Sequence, residues 1–185
     1  SGLLNISPAT LTFNSSNFSV HQVITLQALE NIFLGDQTDN VILSVNDALS
    51  FDPFDPLPDI NIPVNIVNND VASIVVNPTS VTVSENGTAT FTVSLSAAPP
   101  SGVVVVDLVS NNTSVATINP AQLTFTTANY NVPQTITVTG VNNSTVPDVS
   151  TTISLAVNNA LSYDGYDGVT ATVSVNVTND DIAGF

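Results

Sequence analysis

The sequence predicts an all-β protein made of immunoglobulin-like Greek-key β-sandwiches in tandem, and three observations support this prediction. First, apolar residues alternate with Thr and Ser over short segments, which is the period of a half-buried strand. Second, turn-forming sequences such as "NPTS", "ENG" and "APPSG" separate these segments at intervals of about ten residues. Third, the sequence repeats internally, and no window of it shows a helical period.

The predicted strands share one pattern, in which every second residue is apolar and the residues between are Thr, Ser or Asn. The inward-facing positions are Val81 and Val83; Ala89, Phe91, Val93 and Leu95; Leu123 and Phe125; Ile136 and Val138; Ile153, Leu155 and Val157; Val173, Val175 and Val177. Val, Ile and Thr are the residues that strands prefer. About seven short strands in about 111 residues are typical of an immunoglobulin-like sandwich.

The internal repeat sets the domain organisation. Residues 7–29 align with residues 119–141, and "VILSVNDALSFDPFD" aligns with "ISLAVNNALSYDGYD" in the same register. After a one-residue deletion, "PVNIVNNDVAS" aligns with "SVNVTNDDIAG". The repeat period is therefore about 111 residues. We expect residues 1–72 to be the C-terminal part of one sandwich, residues 73–184 to be a complete sandwich, and residue 185 to start a further repeat.

The first repeat lacks a counterpart of residues 74–112. Without those strands its apolar side chains would face water, which costs about 1.5 to 3 kcal/mol for each large one. The side chains that would be exposed are those of Ile24, Leu26, Val41, Leu43, Ile60 and Ile62. Two solutions remain open: the missing strands belong to the same polypeptide upstream of Ser1, or another chain donates them. Strand donation would make the protein the subunit of a head-to-tail homopolymer.

The charge balance excludes several classes of function. The chain has 15 Asp plus Glu and neither Lys nor Arg, so it lacks the side chains that bind nucleic acid or anionic lipid surfaces. It has no apolar segment of transmembrane length, so we expect no membrane insertion here. Cysteine is absent and His21 is the one histidine, while the acidic residues lie in predicted turns rather than across a cleft. We therefore expect no enzymatic activity.

Several segments resemble a known family. "VTVSENGTATFTVSLS", "PAQLTFTTANYNVPQTITVTGVN", "YDGYDG" and "VNVTNDDIAGF" are similar to the tandem Calx-β-like and immunoglobulin-like repeats of large bacterial cell-surface proteins. The resemblance covers the complete repeat and most of the partial one. It implies a β-sandwich module that occurs in long arrays, works as a stalk or adhesive spacer, and binds calcium at the junction between modules.

Calcium needs about six to eight oxygen ligands that converge from loops at one end of the sandwich. The candidate ligands are Glu85, Asp164, Asp167, Asp180 and Asp181, with Asp52, Asp55 and Asp70 as the equivalents in the first repeat. Related calcium-binding repeats carry an acidic pair where this chain has Asn142 and Asn143, which weakens a site for a hard cation. The alternative is purely structural: Asp164 and Asp167 form Asx turns, and the neighbouring tyrosines pack at the end of the sandwich.

These observations predict a non-enzymatic structural module of an extracellular cell-surface protein, either an adhesin stalk or the body of a surface filament. Its expected partners are neighbouring repeats of the same protein. The alternative is a calcium-assisted module that binds carbohydrate or protein, which would need Tyr130, Tyr163 and Tyr166 to form an exposed platform. Glycans are a further expected partner, at the sequons of Asn5, Asn14, Asn17, Asn86, Asn111, Asn112, Asn142, Asn143 and Asn176.

Overall fold

The computed structural model describes residues 2–144 and 146–182, and the chain divides into two compact units. Unit 1 extends to Asn68 and unit 2 starts at Asn69, slightly before the predicted boundary at residues 72 and 73. The link joins unit 2 through hydrogen bonds: Ser73 N donates to Ser96 Oγ (2.8 Å), and Ser96 Oγ donates to the Val71 carbonyl (2.7 Å). The further repeat predicted at residue 185 lies outside the described residues.

Unit 1 contains two separate two-stranded antiparallel sheets. Strand β1 (Leu4–Ser7) pairs with β2 (Thr25–Ala28), and β3 (Gln37–Leu43) pairs with β4 (Ile60–Ile66). A 3₁₀ turn at Asp52–Phe54 lies between β3 and β4.

Unit 2 is a two-layer β-sandwich. Its strands are β5 (Ile74–Asn77), β6 (Ser80–Ser84), β7 (Thr88–Leu95), β8 (Val103–Ser110), β9 (Ala116–Asn119), β10 (Gln122–Thr126), β11 (Gln134–Gly140), β12 (Val149–Val157) and β13 (Thr170–Thr178). One sheet has the order β10-β8-β12-β13-β6 and the other has the order β5-β7-β11-β9. In the first sheet, the edge strand β6 pairs with β13 in parallel, and the other pairings are antiparallel. The all-β prediction is confirmed.

The core of unit 2 follows the predicted alternation. In β7 the burial pattern alternates, with Phe91 and Val93 essentially inaccessible to water between more exposed threonines. Strand β8 has a neighbour on each side, and Val105 is buried as well as Val104 and Val106, so the strand buries apolar side chains on both faces. Val105 N donates to Ser162 Oγ (2.9 Å), and Asn158 N donates to the Val105 carbonyl (2.9 Å). Burial on both faces accounts for the run of four consecutive valines.

The two units pair their strands in the same way. In β1 and β2, Leu4 lies opposite Ala28; in β9 and β11, Ala116 lies opposite Gly140, at the positions that the sequence alignment makes equivalent. The β3–β4 and β12–β13 pairs match throughout in the same manner. A 3₁₀ turn at Asp164–Tyr166 corresponds to the one at Asp52–Phe54. The aligned sequences therefore adopt the same local structure.

Unit 1 has a small core and a large exposed apolar surface. Leu34, Val41 and Ile66 are buried, whereas Leu26, Ile60 and Ile62 are exposed. The described residues of the chain contain no helix long and apolar enough to cross a membrane.

Candidate metal centre

The structure brings three of the eight predicted ligands together at one end of unit 2. Glu85, Asp180 and Asp181 each place a carboxylate oxygen within 4.8 Å of the others. Glu85 follows β6, and the two aspartates follow β13. Because β6 and β13 are parallel neighbours, their C-terminal ends lie side by side, and the residues that follow them meet there.

The turn "SENG", residues 84–87, positions the Glu85 side chain. Asn86 adopts a positive φ of 57°, which reverses the chain between β6 and β7. Glu85 N donates to the Thr178 carbonyl (3.1 Å) and Asn86 N donates to the Gly140 carbonyl (3.1 Å). The turn is therefore fixed to both sheets, and Glu85 is held between them.

Gly140 allows this arrangement because it has no side chain. Residues 85 and 140 form an isolated parallel bridge, and a Cβ on residue 140 would contact the Ser84 carbonyl oxygen too closely. Unit 1 has Ala28 at the equivalent position, where the chain contains no counterpart of the "SENG" turn. Glycine is needed here for close approach of two backbones.

The carboxylate of Glu85 is buried, with only 4% of the residue exposed. Asn143 donates to it twice, from Nδ2 to Oε1 (2.6 Å) and from the backbone N to Oε2 (3.4 Å). Burial raises the pKa of Glu85 above its usual range, and a hydrogen bond with Asp180 and the charges of both aspartates raise it further. The backbone hydrogen bond from Asn143 acts in the opposite direction. Burial and the neighbouring negative charges therefore disfavour ionisation of Glu85.

Asn179 orients Asp181 through two reciprocal hydrogen bonds. Asp181 N donates to Asn179 Oδ1 (3.1 Å), and Asn179 Nδ2 donates to the Asp181 carbonyl (2.9 Å). Asn179 N in turn donates to Asp148 Oδ1 (3.0 Å). The Oδ2 atom of Asp181 is buried and accepts no hydrogen bond. A buried carboxylate oxygen without a donor is costly unless a cation or a proton compensates it.

These residues fit a divalent cation. The donor atoms are carboxylate oxygens, which are the ligands that Ca²⁺ prefers. The chain has no Lys or Arg to neutralise three neighbouring acids, so apart from protonation their charge would be compensated by a cation from solution. Glu85, Asp180 and Asp181 would hold the ion, which would remove the repulsion among them and compensate the Asp181 oxygen.

Asp164 and Asp167 lie at the other end of unit 2. Strand β13 separates them from Asp180, and its nine residues span about 30 Å. They form the 3₁₀ turn that precedes β13, in which Asp167 N donates to the Asp164 carbonyl (3.0 Å). Both side chains are exposed. The structure therefore does not join them to the Glu85 cluster, and the prediction that all five acids converge at one end of the sandwich is wrong for Asp164 and Asp167.

Asp52 and Asp55 lie in unit 1, Asp70 lies at the start of unit 2, and the first repeat contains no counterpart of Glu85. Asp52 and Asp55 belong to the 3₁₀ turn of unit 1, where Asp55 N donates to the Asp52 carbonyl (3.1 Å). Asp70 precedes β5, at the same end of unit 2 as Tyr166, and its charge helps to raise the pKa of that tyrosine, although burial is the main cause.

The three tyrosines do not form an exposed platform. Tyr166 is fully buried, and its hydroxyl donates to the Ala97 carbonyl (2.6 Å) and accepts from Ala97 N (3.3 Å). Tyr130 and Tyr163 are half-buried. Tyr166 therefore packs at the end of the sandwich, as the structural alternative predicts, and does not contribute to a binding platform.

The residues that support the centre are not evident from the sequence. The sequence suggests Asn143 as a weak ligand, whereas in the structure its amide donates to Glu85. No sequence pattern predicts the role of Asn179. One signal for Gly140 is present in the sequence. Strand β11 ends in "TG", whereas the aligned residues of the first repeat are "QA". A glycine within a strand often marks the close approach of another backbone.

The comparisons with known proteins concern the fold alone. No family model matches the chain, and no curated protein matches it. Among solved structures, the E. coli chaperone DraB is similar over 62% of this chain and 59% of its own, with 11% identity and a TM-score of 0.46. The class 5 fimbriae chaperone CfaA is similar over 59% of this chain and 57% of its own, with 6% identity and a TM-score of 0.43. The matched region thus spans less than two thirds of either chaperone.

Proposed function

We propose that this chain is a non-enzymatic structural part of an extracellular surface protein, in which tandem β-sandwich modules form a stalk or the body of a filament. The observation that carries the proposal is the shared strand register of the two units. Strand pairings that recur in two units joined by a short link are typical of a repeat array, in which each module contacts its neighbours along the chain. The resemblance to Calx-β-like repeats supports the same function.

The surface chemistry agrees with an extracellular location. Unit 2 presents rows of Thr, Ser and Asn on its outer faces, such as Thr88, Thr90 and Thr92 on β7. The net charge of −15 keeps like molecules apart and in solution. The absence of Lys and Arg removes the cleavage sites of trypsin-like proteases, and most of the Asn-x-Ser/Thr sites are exposed to a glycosylating enzyme.

Electron microscopy and intact mass spectrometry of the native protein test this function together. A mass of many repeats and rod-shaped or fibrous particles would support it. A small globular particle, or a protein found only inside the cell by protease protection and immunogold labelling, would contradict it.

We further propose that Glu85, Asp180 and Asp181 bind Ca²⁺. The ion would tie the end of β6 to the segment after β13, which leads out of the module, and so would restrict bending there. The supporting observation is the unpaired buried oxygen of Asp181 within a cluster that has no cationic side chain.

The test is calcium titration of the 185-residue chain by calorimetry, together with melting temperatures in calcium and in EDTA. If the free calcium is about 100 times the Kd, binding stabilises the native state by about 2.7 kcal/mol. We expect Asp181→Asn to abolish this gain. The matched control is Asp164→Asn, which changes the same charge at the opposite end of unit 2. Equal loss in both variants, or no gain in the unmodified chain, would refute the calcium proposal.

A further inference from the structure

The apolar surface of unit 1 corresponds residue by residue to the core of unit 2. Phe13 is 52% exposed, whereas its equivalent Phe125 is 0% exposed. Ile62 is 43% exposed, whereas its equivalent Val173 is 0% exposed. We call the exposed apolar residues of unit 1 with buried equivalents the open face: Phe13, Leu26, Phe54 and Ile62. Equivalent positions with the same local structure are therefore buried in unit 2 and exposed to solvent in unit 1.

The strands that cover these positions in unit 2 are identifiable. Strand β6 pairs with β13, β8 pairs with both β12 and β10, and β7 pairs with β11. In unit 1 the equivalents β2, β3 and β4 have only one neighbour each. The residues that align with β10, 10–14, form no strand there, because their pairing partner would be an equivalent of β8. Unit 1 therefore lacks equivalents of β6, β7 and β8, which lie within residues 74–112 together with β5, the outer neighbour of β7.

Any segment that completes unit 1 must offer both alternating apolar side chains and strand edges that are free to pair. The edges of β3 and β4 require backbone hydrogen bonds, and the open face requires large apolar side chains between the two small sheets. Residues 74–112 meet both requirements in unit 2, where Phe91, Val93, Val104 and Val106 are all buried. A second copy of this chain could donate these strands only by exposing its own unit 2 to the same extent, so exchange would bring no net burial.

We propose that the open face binds a four-strand segment with the apolar pattern of residues 74–112, supplied by an adjoining stretch of the same polypeptide. This inference rests on the tandem array proposed above and identifies what completes the partial module. The segment inserts in the order of unit 2, with its equivalent of β6 parallel to β4 and its equivalent of β8 beside β3. Unit 1 then becomes a closed sandwich.

The test adds a copy of residues 74–112 directly before Ser1, so that the junction reproduces the sequence position of residue 112 before residue 113. We expect hydrogen exchange of the β2, β3 and β4 amides to slow by about 100-fold or more, since these strands become part of a cooperative core. Binding of the dye ANS, which reports exposed apolar surface, should fall. The matched control carries Val104→Asp and Val106→Asp in the added copy only, and should keep the exchange and dye binding of the original chain.

A disulfide provides a second measurement that does not require high yield or stability. Asn176 lies opposite Thr82 in the parallel β13–β6 pair, so Asn65 should lie opposite the added copy of Thr82. The chain has no cysteine, so Asn65→Cys with Thr82→Cys in the added copy should form one defined disulfide under mild oxidation. The control places the second cysteine two residues further, as Ser84→Cys in the added copy, where the separation is too large for ready bridging.

Two results would overturn the inference. The first is unchanged exchange in the extended chain together with no preference for the predicted disulfide. The second is full protection of β2, β3 and β4 in the original 185-residue chain through concentration-dependent association, which would make a second copy the occupant. Both readouts are independent of cellular location and particle shape, so the inference and the proposed function can fail separately.

Discussion

Truncation of one phenylalanine in each unit tests the different environments of the two aligned segments. The triplet "LTF" occurs at residues 11–13 and again at residues 123–125, so Phe13→Ala and Phe125→Ala are a matched pair. Phe125 is fully buried on β10, opposite Val104 of β8. Its removal leaves a cavity in the core of unit 2 and should cost about 3 to 5 kcal/mol. Phe13 is more than half exposed, so its removal should cost roughly 0.5 kcal/mol or less.

The assay is thermal and denaturant unfolding, with hydrogen exchange to assign the transition to unit 2. For a domain of this size, each kcal/mol shifts the melting temperature by about 4 °C, so Phe125→Ala should lower it by about 12 to 20 °C. Phe13→Ala should shift it by about 2 °C or less. If Phe13→Ala proved as costly as Phe125→Ala, Phe13 would have to be buried in solution, and the reasoning from the open face would be refuted.

Two further substitutions test the two ends of unit 2. Tyr166→Phe removes both hydrogen bonds to Ala97 and should cost about 1 to 3 kcal/mol at neutral pH. Burial raises the pKa of Tyr166 above its usual value of 10.0, so its contribution to stability is present below pH 10.0 and is lost as the pH rises beyond it. Unfolding free energy measured from pH 8 to pH 12 should therefore fall less steeply in Tyr166→Phe, and an unchanged slope would contradict this assignment. Gly140→Ala should push the Ser84 backbone away, destabilise unit 2 by about 1 to 3 kcal/mol and weaken calcium binding, whereas Ala28→Gly in unit 1 should leave calcium binding unchanged, as calorimetry would show. Normal calcium affinity in Gly140→Ala would mean that the close approach does not position Glu85.

The strands were predictable because each depends on a local pattern. The alternation in "GTATFTVSLS" needs no partner to be recognised, and Thr88–Leu95 forms a strand with that alternation in the structure. The internal alignment also predicted which turns would be alike, and both "DPF" and "DGY" form 3₁₀ turns. Their exits differ, since Pro56 fixes a negative φ where Gly168 has a φ of 75°.

The candidate centre was predictable only in part. Acidic residues in turns are visible in a sequence, but which turns meet depends on strand direction and sheet order. The parallel pairing of β6 with β13 brings Glu85 to Asp180 and Asp181, whereas the length of β13 keeps Asp164 and Asp167 at the opposite end. Neither fact follows from the spacing of the acids along the chain.

The sequence by itself determined the all-β class, the strand faces, the internal duplication and the absence of cationic side chains, because these depend on residue type and local period. Only the tertiary structure decided which acids converge, why residue 140 must be glycine, and which apolar residues of unit 1 stay exposed. Those features arise from contacts between segments far apart in the chain. Burial of Phe125 and exposure of Phe13 in the same "LTF" triplet show that the neighbouring strands, rather than the residue, set its environment.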